Sequence, residues 1–266
     1  MEGVTSSRSV CVPRHILFGA ALALAVSVPD AEAGTIIVSA DTNIINPLVP
    51  GPDFNAGNQV FFSNVLGTGN TVVIRQEGGA ADFDTMADAY FDSLPGVTSS
   101  IIVSLAGGAL AGADLLLVPT PDSALTAGEL ASLGTFVAGG GTVFLMGDNA
   151  STEIAIAYNA VINAALLALG SDIQILDAVF LPGGFALAMI AADPLTAGVM
   201  SFSYAAGSHL SGGTLLFSDA DGHRLIAYEA TVPEPSSLLL LSLAVLLVAR
   251  SAGGSTGGRR RDESRP

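Results

Sequence analysis

Marked only as apolar and polar, the chain divides into three stretches. Each end carries an almost unbroken apolar run, at 16–28 and at 238–249, and between them short apolar runs alternate with stretches of helical spacing. Residues 35–41, 71–76, 100–105 and 114–118 are aliphatic and β-branched over strand length. Residues 58–66 and 82–94 are apolar at helical spacing; the second places Phe83, Met86, Ala87, Tyr90, Phe91 and Leu94 on one face.

The clearest unit follows Pro119-Thr120-Pro121, which breaks the chain after a strand. Thr126 and Glu129 have the spacing of a capping box, Leu130, Leu133 and Val137 form a stripe, and Gly139-Gly140-Gly141 ends the helix before a strand at 142–146. Strand, helix and strand with short links predict two parallel strands joined by a right-handed crossover. A second helix is predicted over 152–169, with Gly170 as its C-terminal stop. Beyond it, 173–180, 201–204, 214–217 and 225–228 read as strands with little helix between. The expected fold is therefore α/β: a mostly parallel sheet flanked by helices, with extra strands toward the C-terminus that extend it or form an antiparallel edge.

The terminal runs have their own grammar. Arg8 and Arg14 precede the first run, and Ala31-Glu32-Ala33 follows it as a small-x-small cleavage signal, leaving Gly34 as the first mature residue. The bland alternative is a short buried helix at a domain N-terminus. At the other end, Pro233-Glu234-Pro235 leads into the apolar run 238–249, then Arg250, a Gly/Ser spacer and Arg259-Arg260-Arg261. Arginines beyond an apolar run hold that end in the cytoplasm. The expected organisation is a signal peptide at 1–33, an exported domain at 34–232 and a sorting tail at 233–266, with terminal hydrophobic helices at both ends. Sec machinery and signal peptidase are the implied partners, and the membrane is a transient one.

Charge narrows the function. The chain has no lysine, and the segment 34–232 holds two arginines, Arg75 and Arg224, against 18 acidic side chains, a formal charge of −16. A surface this acidic repels phosphate backbones, which excludes nucleic acid as a partner, and it attracts cations or basic partners. The simpler reading is that the charge keeps an apolar protein soluble. The single cysteine, Cys11, lies in the leader, so the mature domain has no disulfide, thiolate ligand or cysteine nucleophile.

The triplet Pro233, Glu234, Pro235, with the apolar run and basic end that follow it, resembles the PEP-CTERM sorting signal of Gram-negative bacteria. The resemblance implies cleavage by an exosortase, a membrane transpeptidase, and delivery to the cell surface or the extracellular polysaccharide matrix. An ordinary single-pass anchor is the rival. The segments 113–119, 125–130 and 136–143, with Asp193-Pro194-Leu195-Thr196-Ala197-Gly198-Val199, resemble the class I glutamine-amidotransferase-like, flavodoxin-like group. In its catalytic members a cysteine nucleophile sits on the sharp turn after a central strand, partnered by a later histidine. The corresponding turn here is Gly147-Asp148-Asn149, without cysteine or serine, and Ser151 lies in no Gly-x-Ser-x-Gly frame. Catalytic residues therefore do not transfer, and no cofactor is implied.

What remains are candidate ligand groups. Asp148 and Asn149 follow a strand, where open α/β sheets bind ligands, or else start the next helix. Asp219 and Asp221, in Asp219-Ala220-Asp221-Gly222-His223, resemble the start of a calcium loop, but Asp-Gly is also a strong hairpin signal. His209, in Gly207-Ser208-His209, reads as loop, and Gly78-Gly79 and Gly107-Gly108 form no phosphate-binding motif. Phe61, Phe62, Phe83 and Phe91 read as core, and sparse aromatics argue against a sugar-stacking platform. The leading expectation is a non-enzymatic surface or matrix protein with a binding or structural role. The alternatives are a degenerate, metal-assisted hydrolase using Asp148 and the Asp219/Asp221 turn, and an envelope-anchored partner protein.

Overall fold

The computed structural model describes residues 34–76 and 82–231. All of these lie in one compact unit, Glu32–Pro233. The predicted leader, the Pro233-Glu234-Pro235 tail with its apolar run, and Gly78-Gly79 fall outside the described residues.

Strands β1 (Thr35–Ser39), β2 (Thr71–Arg75), β3 (Thr98–Ile102), β4 (Leu115–Pro119) and β5 (Thr142–Met146) form a parallel sheet in the order β3-β2-β4-β5-β1. Parallel strands covered on both faces should be apolar throughout, and β4, Leu-Leu-Leu-Val-Pro, is buried at every position. Alternate residues serve opposite faces. Ile37, Val72, Ile74, Leu115, Leu117, Phe144 and Met146 belong to one core; Ile36, Val38, Val73, Leu116, Val118, Val143 and Leu145 belong to the other.

The first core is covered by a 3₁₀ helix at Thr42–Leu48 and by helices α1 (Ala56–Leu66) and α2 (Phe83–Asp92), which contribute Phe61, Phe62, Phe83, Tyr90 and Phe91. All four phenylalanines expected in the core are buried. Phe61 packs edge-on against four rings, Phe62, Phe144, Phe202 and Phe217, at centroid distances of 4.9–6.0 Å. Offset and edge-on ring pairs add roughly 0.5–1.5 kcal/mol each beyond their area, so this knot anchors the C-terminal part to the parallel sheet.

The second core is covered by α3 (Ala127–Ala138) and α4 (Glu153–Leu169). The predicted capping box is formed: Thr126 Oγ1 accepts from the Glu129 amide, and the Glu129 carboxylate accepts from the Thr126 amide at 2.9 Å. Glu129 also accepts from Ser104 Oγ and the Leu105 amide, tying the helix start to the loop after β3. Burial opposes the Glu129 charge, but these donors pull its pKa down to about 2. Gly170 closes α4 with φ +74°, as its glycine predicted.

The C-terminal strands extend the sheet antiparallel. They are β6 (Gln174–Phe180), β7 (Ala186–Leu187), β8 (Met189–Ile190), β9 (Ser203–Tyr204), β10 (Gly207–Ser211), β11 (Thr214–Ser218) and β12 (Arg224–Ala230). β12 pairs antiparallel with β1, with β10 and with β11; β10 pairs with β6, and β8 with β11. β7 and β9 form a separate two-stranded sheet. The segment Gly207-Ser208-His209, expected as loop, is the start of β10. Its polar residues show no alternation, and backbone pairing with β6 and to Ala40 holds it extended.

The two ends of the described segment meet. Thr231 donates through its amide (2.8 Å) and its Oγ1 (2.9 Å) to the Gly34 carbonyl, at the amino edge of β1. Among the described residues, no helix is long and apolar enough to cross a membrane.

Candidate functional site

The strand registers place several polar groups at one edge. Ser39 pairs with Met146, and Met146 with Pro119, so β1, β5 and β4 end level with one another. Ile226 faces Ser39, and Leu210 faces Arg224, so the β11–β12 turn and the start of β10 lie beyond that same carboxyl edge. Ligands in open α/β sheets bind there.

Asp41, two residues past β1, is 1% exposed. It caps the 3₁₀ helix: Oδ1 accepts from the Asn43 amide (2.8 Å) and side chain (2.9 Å), and Oδ2 accepts from the Ala205 amide (2.6 Å). Burial lifts its pKa to about 7 against these donors, and the nearby Asp148 charge adds to the rise.

The turn after β5 is where a family nucleophile would sit, and it is a tight joint. An added Cβ at Gly147 would lie 2.3 Å from Asn159 Oδ1 and 2.7 Å from Ile175 Cδ1, so any side chain there must push both aside. Asn159, on α4, accepts from the Asp148 amide (3.0 Å) and donates to the Asp148 carbonyl (2.8 Å). Ser208 Oγ donates to that carbonyl and accepts from the Ala150 amide, joining the turn to β10. The Asp148 carboxylate accepts from the Asn149 amide and side chain; burial raises its pKa despite them. Asp148 and Asn149 do not cap α4, which uses Thr152, because their side chains are spent within their own turn.

The Asp219–Gly222 stretch is the hairpin turn its Asp-Gly predicted, with Gly222 at φ +86°. Asp219 Oδ1 accepts from the amides of Asp221 (3.0 Å) and His223 (2.8 Å). Asp221 thus serves the turn through its backbone, and the structure joins Asp219 to two histidines instead. Asp219 Oδ2 lies 2.8 Å from His223 Nδ1 and 3.9 Å from His209 Nε2. The two imidazoles stack 4.0 Å apart and 9° from parallel, and Phe180 stacks on the far face of His209 at 5.5 Å. Burial and the His223 charge lower the His209 pKa, with Asp219 opposing. Burial also works against the Asp219 charge, but the hydrogen bonds from His223 and Asp221 hold its pKa below the ordinary value. Tyr204 sits among the same acids: burial, then Asp219, Asp221 and Asp41, raise its pKa.

Two further features mark this edge. Thr120, just after β4, has φ +28°, a strained value for a β-branched residue. The buried side-chain polar atoms without a hydrogen-bond partner among the described residues are Nε and Nη1 of Arg75, at the end of β2, and Nε2 of His209. By contrast, a groove lined by Leu110, Ala131, Thr135 and Phe136 lies toward the amino edge of β4 and β5 and has no titratable lining among the described residues.

The sequence places Asp148 and Asn149 after a strand and marks Asp219 as a candidate ligand in a turn, but it does not reveal Asp41, Tyr204 or the pairing of His209 with His223. An aspartate directly after the first apolar strand, and a histidine four residues past Asp219 across a Gly turn, were the available signals.

No family model matches the chain, and no curated protein matches it. Among solved structures it is similar to one described as "mmIFT52 N-terminal domain", at 14% identity and a TM-score of 0.44, over 65% of this chain and 99% of that one.

Proposed function

We propose that this is an exported protein, sorted by an exosortase to the cell surface or extracellular matrix, whose α/β domain acts as a non-enzymatic binding module of amidotransferase-like type. The observation that carries the binding role is the contrast within the carboxyl edge. The elbow position is a glycine joint locked by Asn159, while Asp41, Asp148, Tyr204, His209, Asp219 and His223 gather around it. An edge rich in convergent polar groups but without a nucleophile on its turn suits recognition better than acyl transfer. Export and sorting rest on Ala31, Ala33, Gly34 and on Pro233, Glu234, Pro235 with the runs beside them.

The test is the intact mass and location of the chain in hosts with and without an exosortase. The expected result is a mature form beginning at Gly34, cut near Pro233-Glu234-Pro235 only when the transpeptidase is present. A chain of unaltered mass in both hosts, retained in the membrane fraction, favours the single-pass anchor and overturns sorting.

The second reading, a degenerate hydrolase, has one observation in its favour: the Asp41 carboxyl, with its pKa near 7, can hold or release a proton at neutral pH. Its complete burial and three donors leave it poorly placed to reach a substrate. Turnover of any ester, amide or phosphoester substrate that Asp41→Asn abolishes would establish it.

A further inference from the structure

The β11–β12 turn and β10 bring three ligand atoms together. His209, Asp219 and His223 each offer one ligand atom, and the three atoms lie within 4.8 Å of one another. We propose that these three residues form a binding site for one first-row transition-metal dication of the zinc class. The proposal rests on the carboxyl edge being the ligand-facing one and is independent of export and sorting.

Ligand chemistry decides the metal class. Two imidazole nitrogens and one carboxylate oxygen suit zinc, copper, nickel or iron(II); calcium takes six to eight oxygens, and this centre offers one. The calcium-loop alternation expected from Asp219 and Asp221 is not used as such, since Asp221 contributes its amide to the turn. Bonds of about 2.0–2.2 Å to a tetrahedral ion place ligand atoms roughly 3.4 Å apart. The present separations from Asp219 Oδ2, 2.8 Å and 3.9 Å, lie on either side of that value. The two imidazoles, parallel and stacked, cannot both hold one ion in their ring planes as they stand, so binding requires the half-exposed His223 ring to turn out of the stack while Asp219 Oδ2 and His209 Nε2 close toward each other.

The surroundings also prepare the three groups. Asp219 Oδ1 is occupied by two backbone amides, which aims Oδ2 at the histidines. Phe180 stacks on the His209 ring and holds its plane, which leaves the half-exposed His223 ring as the one that moves. His209 Nε2 is buried and has no partner among the described residues, a cost that a metal bond removes. The His223 side chain is 48% exposed, so the ion enters from that side and keeps water in its open positions. The −16 charge of segment 34–232 draws cations toward it.

The full chain, purified in mild detergent and stripped with a chelator, is titrated with Zn²⁺ and with Co²⁺. The expected result is one ion per chain, a visible Co²⁺ absorption band that Zn²⁺ displaces, and no competition from excess Ca²⁺. Asp219→Asn, which keeps the turn acceptor, and His223→Gln, at a half-exposed ring, should each weaken Zn²⁺ binding at least tenfold. The absence of stoichiometric binding overturns the site. So does binding that both variants leave unchanged, which would place the ion on surface carboxylates or elsewhere. Should Asp219→Asn fail to fold, His223→Gln alone decides. Because sorting is read by mass and location, a failure here leaves that reading standing or falling on its own.

Discussion

Asp41 has the most consequential environment of any single residue. Its folded pKa of about 7 lies above the ordinary 3.8, so the folded chain binds its proton more tightly than the unfolded chain. Its contribution to stability is full below about pH 4 and is lost as pH rises toward 7. Asp41→Asn removes that slope, so the variant should gain on the wild type across this window, by up to roughly 1.4 kcal/mol per pH unit. Urea midpoints of both proteins at pH 5 and pH 8 check this; a difference that does not change with pH would show that Asp41 does not titrate there. Gly147 makes a different demand. Gly147→Ala drives a methyl into Asn159 and Ile175, and should cost about 1–3 kcal/mol, read as a lower thermal midpoint. Neither effect was legible in the sequence. A glycine after a strand announces a turn but not the side chain that will press against it, and an aspartate announces charge but not burial.

The strand–helix–strand unit around α3 was the most readable element, and for a physical reason. Its cap, stripe and stop are local signals, and the structure reproduces them, with β5 at Thr142–Met146 as predicted. Glu129 does more than its cap spacing implied, since it also holds Ser104 and Leu105. Glu129→Ala should therefore cost about 1–3 kcal/mol, more than the ~1 kcal/mol of an ordinary cap. Hydrogen exchange at Leu105 and in the first turn of α3 should quicken together; quickening confined to the helix would show that the loop does not depend on Glu129. Where signals were non-local, reading failed. β10 is polar and glycine-led, and only β6 and β12 make it a strand. The ring that completes the His–Asp–His cluster was hidden with it, because His209 reaches Asp219 through strand pairing and not through spacing along the chain.

Over the whole molecule, the α/β class and the antiparallel C-terminal extension followed from the pattern of elements, but strand order did not. β1 pairs with β5 and β12, so the first and last strands lie side by side in the middle of the sheet. That adjacency brings Gly34 to Thr231, and it carries a prediction. Joining 231 to 34 through a short glycine linker and opening the chain at the exposed Gly107–Gly108 should give a folded permutant, because the new bond spans ends already in contact. Circular dichroism and a cooperative melt would verify it; a molten chain would mean that the order of synthesis, rather than the finished contacts, governs folding.

The Gly34–Thr231 clasp also gives the domain a front and a back. It sits at the amino edge of β1, and the histidine cluster lies beyond the carboxyl edge, one five-residue strand away, or about 17 Å. The half-exposed His223 ring therefore meets the medium at the end of the domain away from Gly34 and Thr231, where a dilute solute reaches it.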